Sequence, residues 1–186
     1  MAIVPTTACV LASRDLTIGP ATPSDAPYLR AMLLATAEDS PGMVTTAHEM
    51  AERTEALPAL IAAYAANPDR VWLVAREGEQ VVGELSCRCG SPARLAHVAR
   101  LGMSVAKPCR GLGVGNALLT RAVDWAETHP GVLRITLAVV ADNAAAIALY
   151  QRHGFVTEGT RVRQIQRSPG EFIDDLFMAR TMKSKA

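Results

Sequence analysis

The stretch with the most chemical content is Arg110-Gly111-Leu112-Gly113-Val114-Gly115-Asn116. Glycines at alternate positions let consecutive amide N–H groups turn toward one concavity, since a residue without Cβ adopts left-handed backbone angles freely. A helix that begins where such a loop ends adds its unsatisfied N-terminal donors and the positive end of its dipole. Together they would form a pyrophosphate cradle that needs no lysine, though the loop by itself reads equally as a tight turn. A second group follows in Asn143-Ala-Ala-Ala-Ile-Ala-Leu149-Tyr150-Gln-Arg-His-Gly154-Phe155, which sets a polar cap and a tyrosine on one short helix. Two familiar phosphate sites do not fit. A dinucleotide fingerprint needs other glycine spacing and an acidic end to the second strand, which here reads Val139-Val140-Ala141. A P-loop needs G-x-x-x-x-G-K-[ST], which the chain lacks.

These groups need elements to hold them. Leu101–Val105 ends a strand read over Arg94–Val105, Pro108–Gly115 is a loop, and Asn116–Thr128 is a helix with a broad apolar stripe through Leu118, Leu119, Ala122 and Val123. His129-Pro130-Gly131 stops that helix. Val132–Val140 is continuously apolar, as a strand buried on both faces requires. Asp142-Asn143 opens the helix Ala144–Arg152, and Gly154 closes it. Upstream, Leu16–Gly19 is a short strand, and Thr22-Pro23-Ser24-Asp25 starts a helix over Tyr28–Ala37. Ser40–Thr46 is a loop, and Thr45–Ala66 is helical with an interruption near Pro58. Arg70–Arg76 and Gln80–Arg88 form a hairpin around Glu77-Gly78-Glu79. Phe155–Glu158, Arg161–Arg167 and Ile173–Ala179 are closing strands. Residues 1–14 read as a poorly ordered start and 15–182 as one domain. The expected class is α/β (α+β), with a mixed, mostly antiparallel sheet, two helices before the central hairpin and two after it.

Composition narrows the function. The 186 residues are 49% hydrophobic and 20% charged, a globular balance for one domain. A net charge of +1 with no Lys/Arg block argues against nucleic acid as a partner. No stretch has the length and continuity of a membrane span. The four cysteines, Cys9, Cys87, Cys89 and Cys109, complete no zinc pattern and read as reduced thiols, so no metal and a cytoplasmic location are expected.

Arg110-x-x-Gly113-x-Gly115 resembles the first signature of the GCN5-related N-acetyltransferase (GNAT) superfamily, and Asn143 to Phe155 resembles its second, N-x-x-A-x-x-L-Y-x-x-x-G-F. The likeness covers residues 15–180 and is nearest the branch that acetylates small amines, amino acids and protein N-termini. One slot departs. The family has a proline two residues after the valine, where this chain has Lys107 followed by Pro108. The resemblance implies a sheet splayed where acetyl-CoA enters. Backbone groups of Met103, Ser104 and Val105 would pair with the pantetheine arm like an added strand. Amides of Arg110, Gly111, Leu112, Gly113, Val114, Gly115 and Asn116 would hold the pyrophosphate, Asn143 would bond the pantetheine, and Tyr150 would face the sulfur as proton donor. It also implies a small-molecule amine, an amino acid or a protein N-terminus as acceptor, and a homodimer by analogy.

The reaction is attack of a neutral amine on a thioester, which asks for a polarised carbonyl, an amine without its extra proton, and a proton for the thiolate. At pH 7.5 a lysine-like amine costs about 4 kcal/mol to present neutral, an α-amine under ~1 kcal/mol. Glu84 and His97 are candidate bases, each against a plainer reading as a solvated strand carboxylate or a hydrogen-bonded histidine. The Arg110 side chain is expected to brace the loop while its N–H binds. His129 and His153 read as surface residues, and Glu171-Phe172-Ile173-Asp174-Asp175 as a solvated acidic turn. The alternative to an enzyme is a non-catalytic acyl-CoA sensor module.

Overall fold

The computed structural model describes residues 4–11, 14–40 and 43–182. Its strands are β1 (Thr7–Leu11), β2 (Arg14–Pro20), β3 (Arg70–Glu77), β4 (Gln80–Cys89), β5 (Val98–Val105), β6 (Arg134–Val140), β7 (Val156–Ser168) and β8 (Glu171–Thr181). They form one sheet in the order β1-β2-β3-β4-β5-β6-β8-β7. Every neighbouring pair is antiparallel except β5 with β6. The helices are α1 (Ala26–Asp39), α2 (Ala47–Arg53), α3 (Leu57–Ala65), α4 (Val114–Thr128) and α5 (Ala144–Arg152).

Strand alternation sorts side chains onto two faces, and both are covered. Val71, Leu73 and Ala75 of β3 join Leu118, Leu119 and Ala122 of α4 and Tyr150 of α5 in one core. Val74, between them in sequence, joins Leu29, Leu33, Leu57 and Ile61 from α1 and α3 in the other. Helix α1 is anchored to the sheet by Asp25, just before it. Its carboxylate takes Arg76 Nε at 2.6 Å and the Thr22 amide at 2.6 Å. Burial works to raise this carboxyl's pKa, but the Arg76 and Thr22 bonds outweigh it and hold it below the usual range.

Several expected boundaries shift for physical reasons. Three helices, not two, precede the hairpin of β3 and β4, because the stretch 45–66 divides between Arg53 and Leu57. The Thr54 hydroxyl bonds back to the Met50 carbonyl at 2.7 Å, and Pro58 sits in the first turn of α3, where its missing N–H costs nothing. Ala93–Leu95 is a 3-10 turn, so β5 begins only at Val98. Helix α4 starts two residues early, at Val114. The closing strands before the last turn fuse into β7, whose register slips at Thr157/Gly159, Arg161/Ile165 and Gln166/Ser168. Thr7–Leu11, read as part of a ragged start, is a strand paired along β2.

Candidate functional site

Strands β5 and β6 pair only over Val98–Arg100 and Arg134–Thr136. Beyond that they part, because the chain after Val105 turns through Lys107–Cys109 into α4 while β6 stays on β8. Leu101–Val105 keeps its partners on β4 but turns its other edge to a gap. The gap opens into a cleft of about 780 Å³ lined by Met103, Ser104, Val105, Arg110, Gly111, Gly113, Gly115 and Asn116, with Asn143, Leu149 and Tyr150 across from them.

At the mouth, Gly111 (φ 75°) and Gly113 (φ 91°) sit in the left-handed region, and Gly113 is the N-cap of α4. The first intrahelical bond runs from the Ala117 amide to the Gly113 carbonyl at 3.0 Å, which leaves the amides of Val114, Gly115 and Asn116 as helix-start donors. Arg110 Nε donates to the Val105 carbonyl at 3.0 Å, the bracing role expected of it. Lys107, in the departing slot, lies with Pro108 in one 3-10 turn and pairs with Asp39 at 3.2 Å. Gly83 lets the start of α4 seat on β4, since a Cβ there would stand 2.9 Å from Val114 Cγ1. These donors can hold a pyrophosphate at a helix N-terminus. The free edge of Met103–Val105 can take an extended polar chain.

Deeper in, Asn143 caps α5, its side-chain oxygen accepting from the Ala146 amide at 3.1 Å. That use leaves its NH₂ group for a ligand. Tyr150 is buried, with its ring 5.8 Å from that of Phe155. Its hydroxyl has no hydrogen-bond partner among the described residues and it lines the cleft. Burial first, then the Glu84 and Cys87 charges, push its pKa up to about 12. The tyrosine therefore keeps its proton at neutral pH.

Glu84 is not the solvated strand carboxylate of the plainer reading. It is 7% exposed, on the α1–α3 face, as the register partner of Ser104. Trp72 Nε1 donates to its Oε2 at 2.9 Å. Burial pushes its pKa up to about 7, against the lowering influence of the Trp72 N–H and the Ser104 hydroxyl. Tyr150 and Glu84 thus approach the gap from opposite faces of the sheet. His97 lies exposed in the turn before β5, at the far end of that strand from Val105, so the structure does not bring it to the cleft. His129 is no surface residue: it is 6% exposed, and its Nδ1 accepts from the Gly131 and Val132 amides at 3.1 and 3.2 Å. His153 is half-buried and bonds Asn116 Oδ1 at 2.9 Å.

The sequence points to the loop around Glu38–Thr46 and the closing strands as the walls of an acceptor pocket, but names no side chains there. Thr36, Ser40, Met43 and Val44 line the cleft near the end of α1, and Ile165 and Asp175 line it from β7 and β8. Asp175, read as solvated, is buried and held by both Arg161 Nε, at 2.7 Å, and Arg161 Nη2. Its place between Ile173 and Phe177 on one strand face was the available signal. Among the described residues, no group of three or more His, Cys, Asp or Glu side chains is placed to hold a metal, and no helix is long and apolar enough to cross a membrane.

Known proteins resemble this chain in sequence and in fold. A sequence profile of the Acetyltransferase (GNAT) family matches residues 34–155. The chain is 37% identical over 108 residues to the Escherichia coli (strain K12) L-amino acid N-acetyltransferase AaaT, a match covering 58% of this chain and 66% of that protein. It is 33% identical over 89 residues to the Arabidopsis thaliana N-alpha-acetyltransferase MAK3, covering 48% of this chain and 46% of that one. The chain therefore spans just under two thirds of the first relative and less than half of the second. An acetyltransferase of the GNAT family from Streptococcus pneumoniae superposes with a TM-score of 0.78 at 27% identity, over 90% of this chain and 99% of that one.

Proposed function

The chain belongs to the acetyltransferase (GNAT) family, and from that premise we propose that it moves an acetyl group from acetyl-CoA to a primary amine by direct attack in a ternary complex. One observation carries the reading: the unpaired edge of β5 leads straight into the helix-start donors of α4. The Gly111–Asn116 amides hold the pyrophosphate, and the Met103–Val105 edge and Asn143 hold the pantetheine arm. The thioester then lies in the gap.

The acceptor nitrogen attacks the carbonyl carbon, the C–N bond forms and the C–S bond breaks. A strand amide near Met103–Val105 stabilises the oxyanion. Tyr150, protonated at neutral pH, gives its proton to the departing thiolate. Glu84 takes the ammonium proton by way of Ser104 or a water, since Ser104 lines the cleft and Glu84 lies beside it.

This base suits α-amines. Passing a proton from an α-ammonium of pKa about 8 to a carboxyl near 7 costs about 1.4 kcal/mol. From a lysine-like ammonium it costs about 4.6 kcal/mol. The likeness to an L-amino acid N-acetyltransferase and an N-alpha-acetyltransferase supports the same class. A free amino acid or a protein N-terminus is thus the acceptor of choice. A homodimer in the cytoplasm belongs to the same reading, and sedimentation analysis checks the dimer.

The test is a thiol-release assay with acetyl-CoA over a panel of amino acids, N-terminal peptides, polyamines and lysine side-chain amines, beside direct coenzyme binding. Release with α-amines above the others is expected. Binding with no release across the panel fits the sensor alternative. No binding removes both readings.

A further inference from the structure

We propose that Trp72 is a positioning residue for the transfer reaction: its indole N–H fixes the Glu84 carboxyl beside Ser104 and keeps it ionisable, ready for the acceptor's proton. The inference rests on the reading of Glu84 as base. Trp72 itself does not line the reaction cleft, and it would pass as ordinary packing were its N–H not on a buried carboxylate at 2.9 Å.

The groups facing Glu84 make this bond important. Trp72 from β3 and Ser104 from β5 bond it on its own face, Tyr64 of α3 lies within electrostatic reach, and Tyr150 of α5 and Cys87 of its own strand feel its charge from the other face. None is a cation. A buried carboxylate without a cation stays charged only through the hydrogen bonds donated to it. Trp72 is the larger of the two influences that lower this carboxyl's pKa, and the Ser104 hydroxyl is the other. The two differ in kind. A hydroxyl donates and accepts, so it can pass a proton along, whereas an indole only donates and so holds one oxygen in place.

The indole is itself held. The Tyr64 ring of α3 packs on it at 5.1 Å with a 56° tilt, and the Arg70 guanidinium lies 5.5 Å from the centre of the Tyr64 ring. On the side of α3, Trp72 borders a separate cavity of about 160 Å³. A line of contacts thus runs from α3 through Tyr64, Trp72, Glu84 and Ser104 into the cleft.

The test compares pH profiles of kcat for the wild type, Trp72→Phe and Glu84→Gln. Loss of the N–H makes Glu84 harder to ionise. The acidic limb of Trp72→Phe therefore moves toward alkaline pH by about one unit, so kcat falls about tenfold on that limb and the deficit shrinks as pH rises. The KM for acetyl-CoA stays near that of the wild type, since Trp72 is away from the coenzyme donors. Should Trp72→Phe fold poorly, 3-benzothienylalanine at position 72 keeps the shape and puts sulfur where the N–H was, with the same limb shift expected. The C=O stretch of the protonated Glu84 carboxyl, followed by isotope-edited infrared, should titrate with the same displacement, independently of turnover. A limb that stays in place, or a loss of kcat of equal size at every pH, overturns the role of Trp72 and leaves Glu84 as base. A Glu84→Gln protein that keeps both its kcat and its acidic limb removes the base, and the role of Trp72 with it.

Discussion

Tyr150 and Glu84 both have their pKa raised, and burial is the chief cause in each. In the proposed mechanism Tyr150 supplies the thiolate's proton. Tyr150→Phe should lower kcat by about 10²-fold or more, the range of a positioned acid, while the coenzyme Kd stays within about twofold. Steady-state kinetics beside calorimetry check this, and an unchanged kcat would take Tyr150 out of the mechanism. For Glu84 the consequence also reaches stability. Its ordinary value is 4.5, and in the fold it titrates at about 7. Between those values the folded chain keeps a proton that the unfolded chain has released. The carboxyl's stabilising share is complete below the lower value and is lost as pH rises through the upper one, by up to about 3 kcal/mol. Glu84→Gln should abolish that slope, gaining on the wild type in urea titrations between about pH 5 and about pH 8. The glycine turn and the Asn143 cap were legible in sequence, because backbone angles and caps are local, whereas Tyr150 was singled out by the family resemblance alone. The burial of Glu84 was not legible. Alternation places it on a face of β4, but only the packing of α1 to α3 decides that this face is dry. His129 misled for the same reason, since a helix stop says nothing of what covers it.

The start of α4 shows how an element turns residue types into a binding surface. Gly113 at φ 91° ends the loop and begins the helix in one step, so the next three amides emerge side by side. A side chain at such an angle costs about 1–2 kcal/mol, and relief of that strain re-aims the amides. Gly113→Ala should therefore both lower the denaturation midpoint and weaken acetyl-CoA binding about tenfold or more. An equal loss of stability with unchanged coenzyme affinity would show that these amides do not face the phosphates. Helix α5 matches its sequence reading to the residue, because Asn143 and Gly154 mark its ends chemically. Helix α4 was read two residues short, since Gly113-Val114-Gly115 looks like loop until the αL cap is seen. Strand β7 was read as pieces because its register slips put Gly159 and charged residues where alternation would want apolar ones. Strand β1 was missed altogether. Its half-exposed residues carry little pattern, and only the pairing of Thr7 with Ile18 through Leu11 with Arg14 defines it.

At the scale of the whole molecule, one topological fact organises the chemistry. A sheet that is antiparallel everywhere else has a single parallel junction, and the strands at that junction pair for three residues before separating. The separation exposes a backbone edge, puts a helix start at one end of it, and lets side chains reach the opening from both faces. Most elements and their order followed from the periodicities, apart from β1 and the division of the second leading helix. The position of the opening came from the family resemblance, because strand pairing over long distances leaves no local mark in the chain. A net charge of +1 leaves no broad basic field to attract a polyanionic carrier, which is why the proposed reading gives its phosphates to local dipoles at the mouth of the cleft. Everything proposed for the cleft depends on where that carrier binds. A crystal structure with acetyl-CoA soaked in should show the pyrophosphate on the amides between Gly111 and Asn116, the pantetheine along Met103–Val105, and the thioester between Tyr150 and Ser104. An empty cleft under saturating acetyl-CoA, or a carrier bound with its phosphates away from the start of α4, would contradict it.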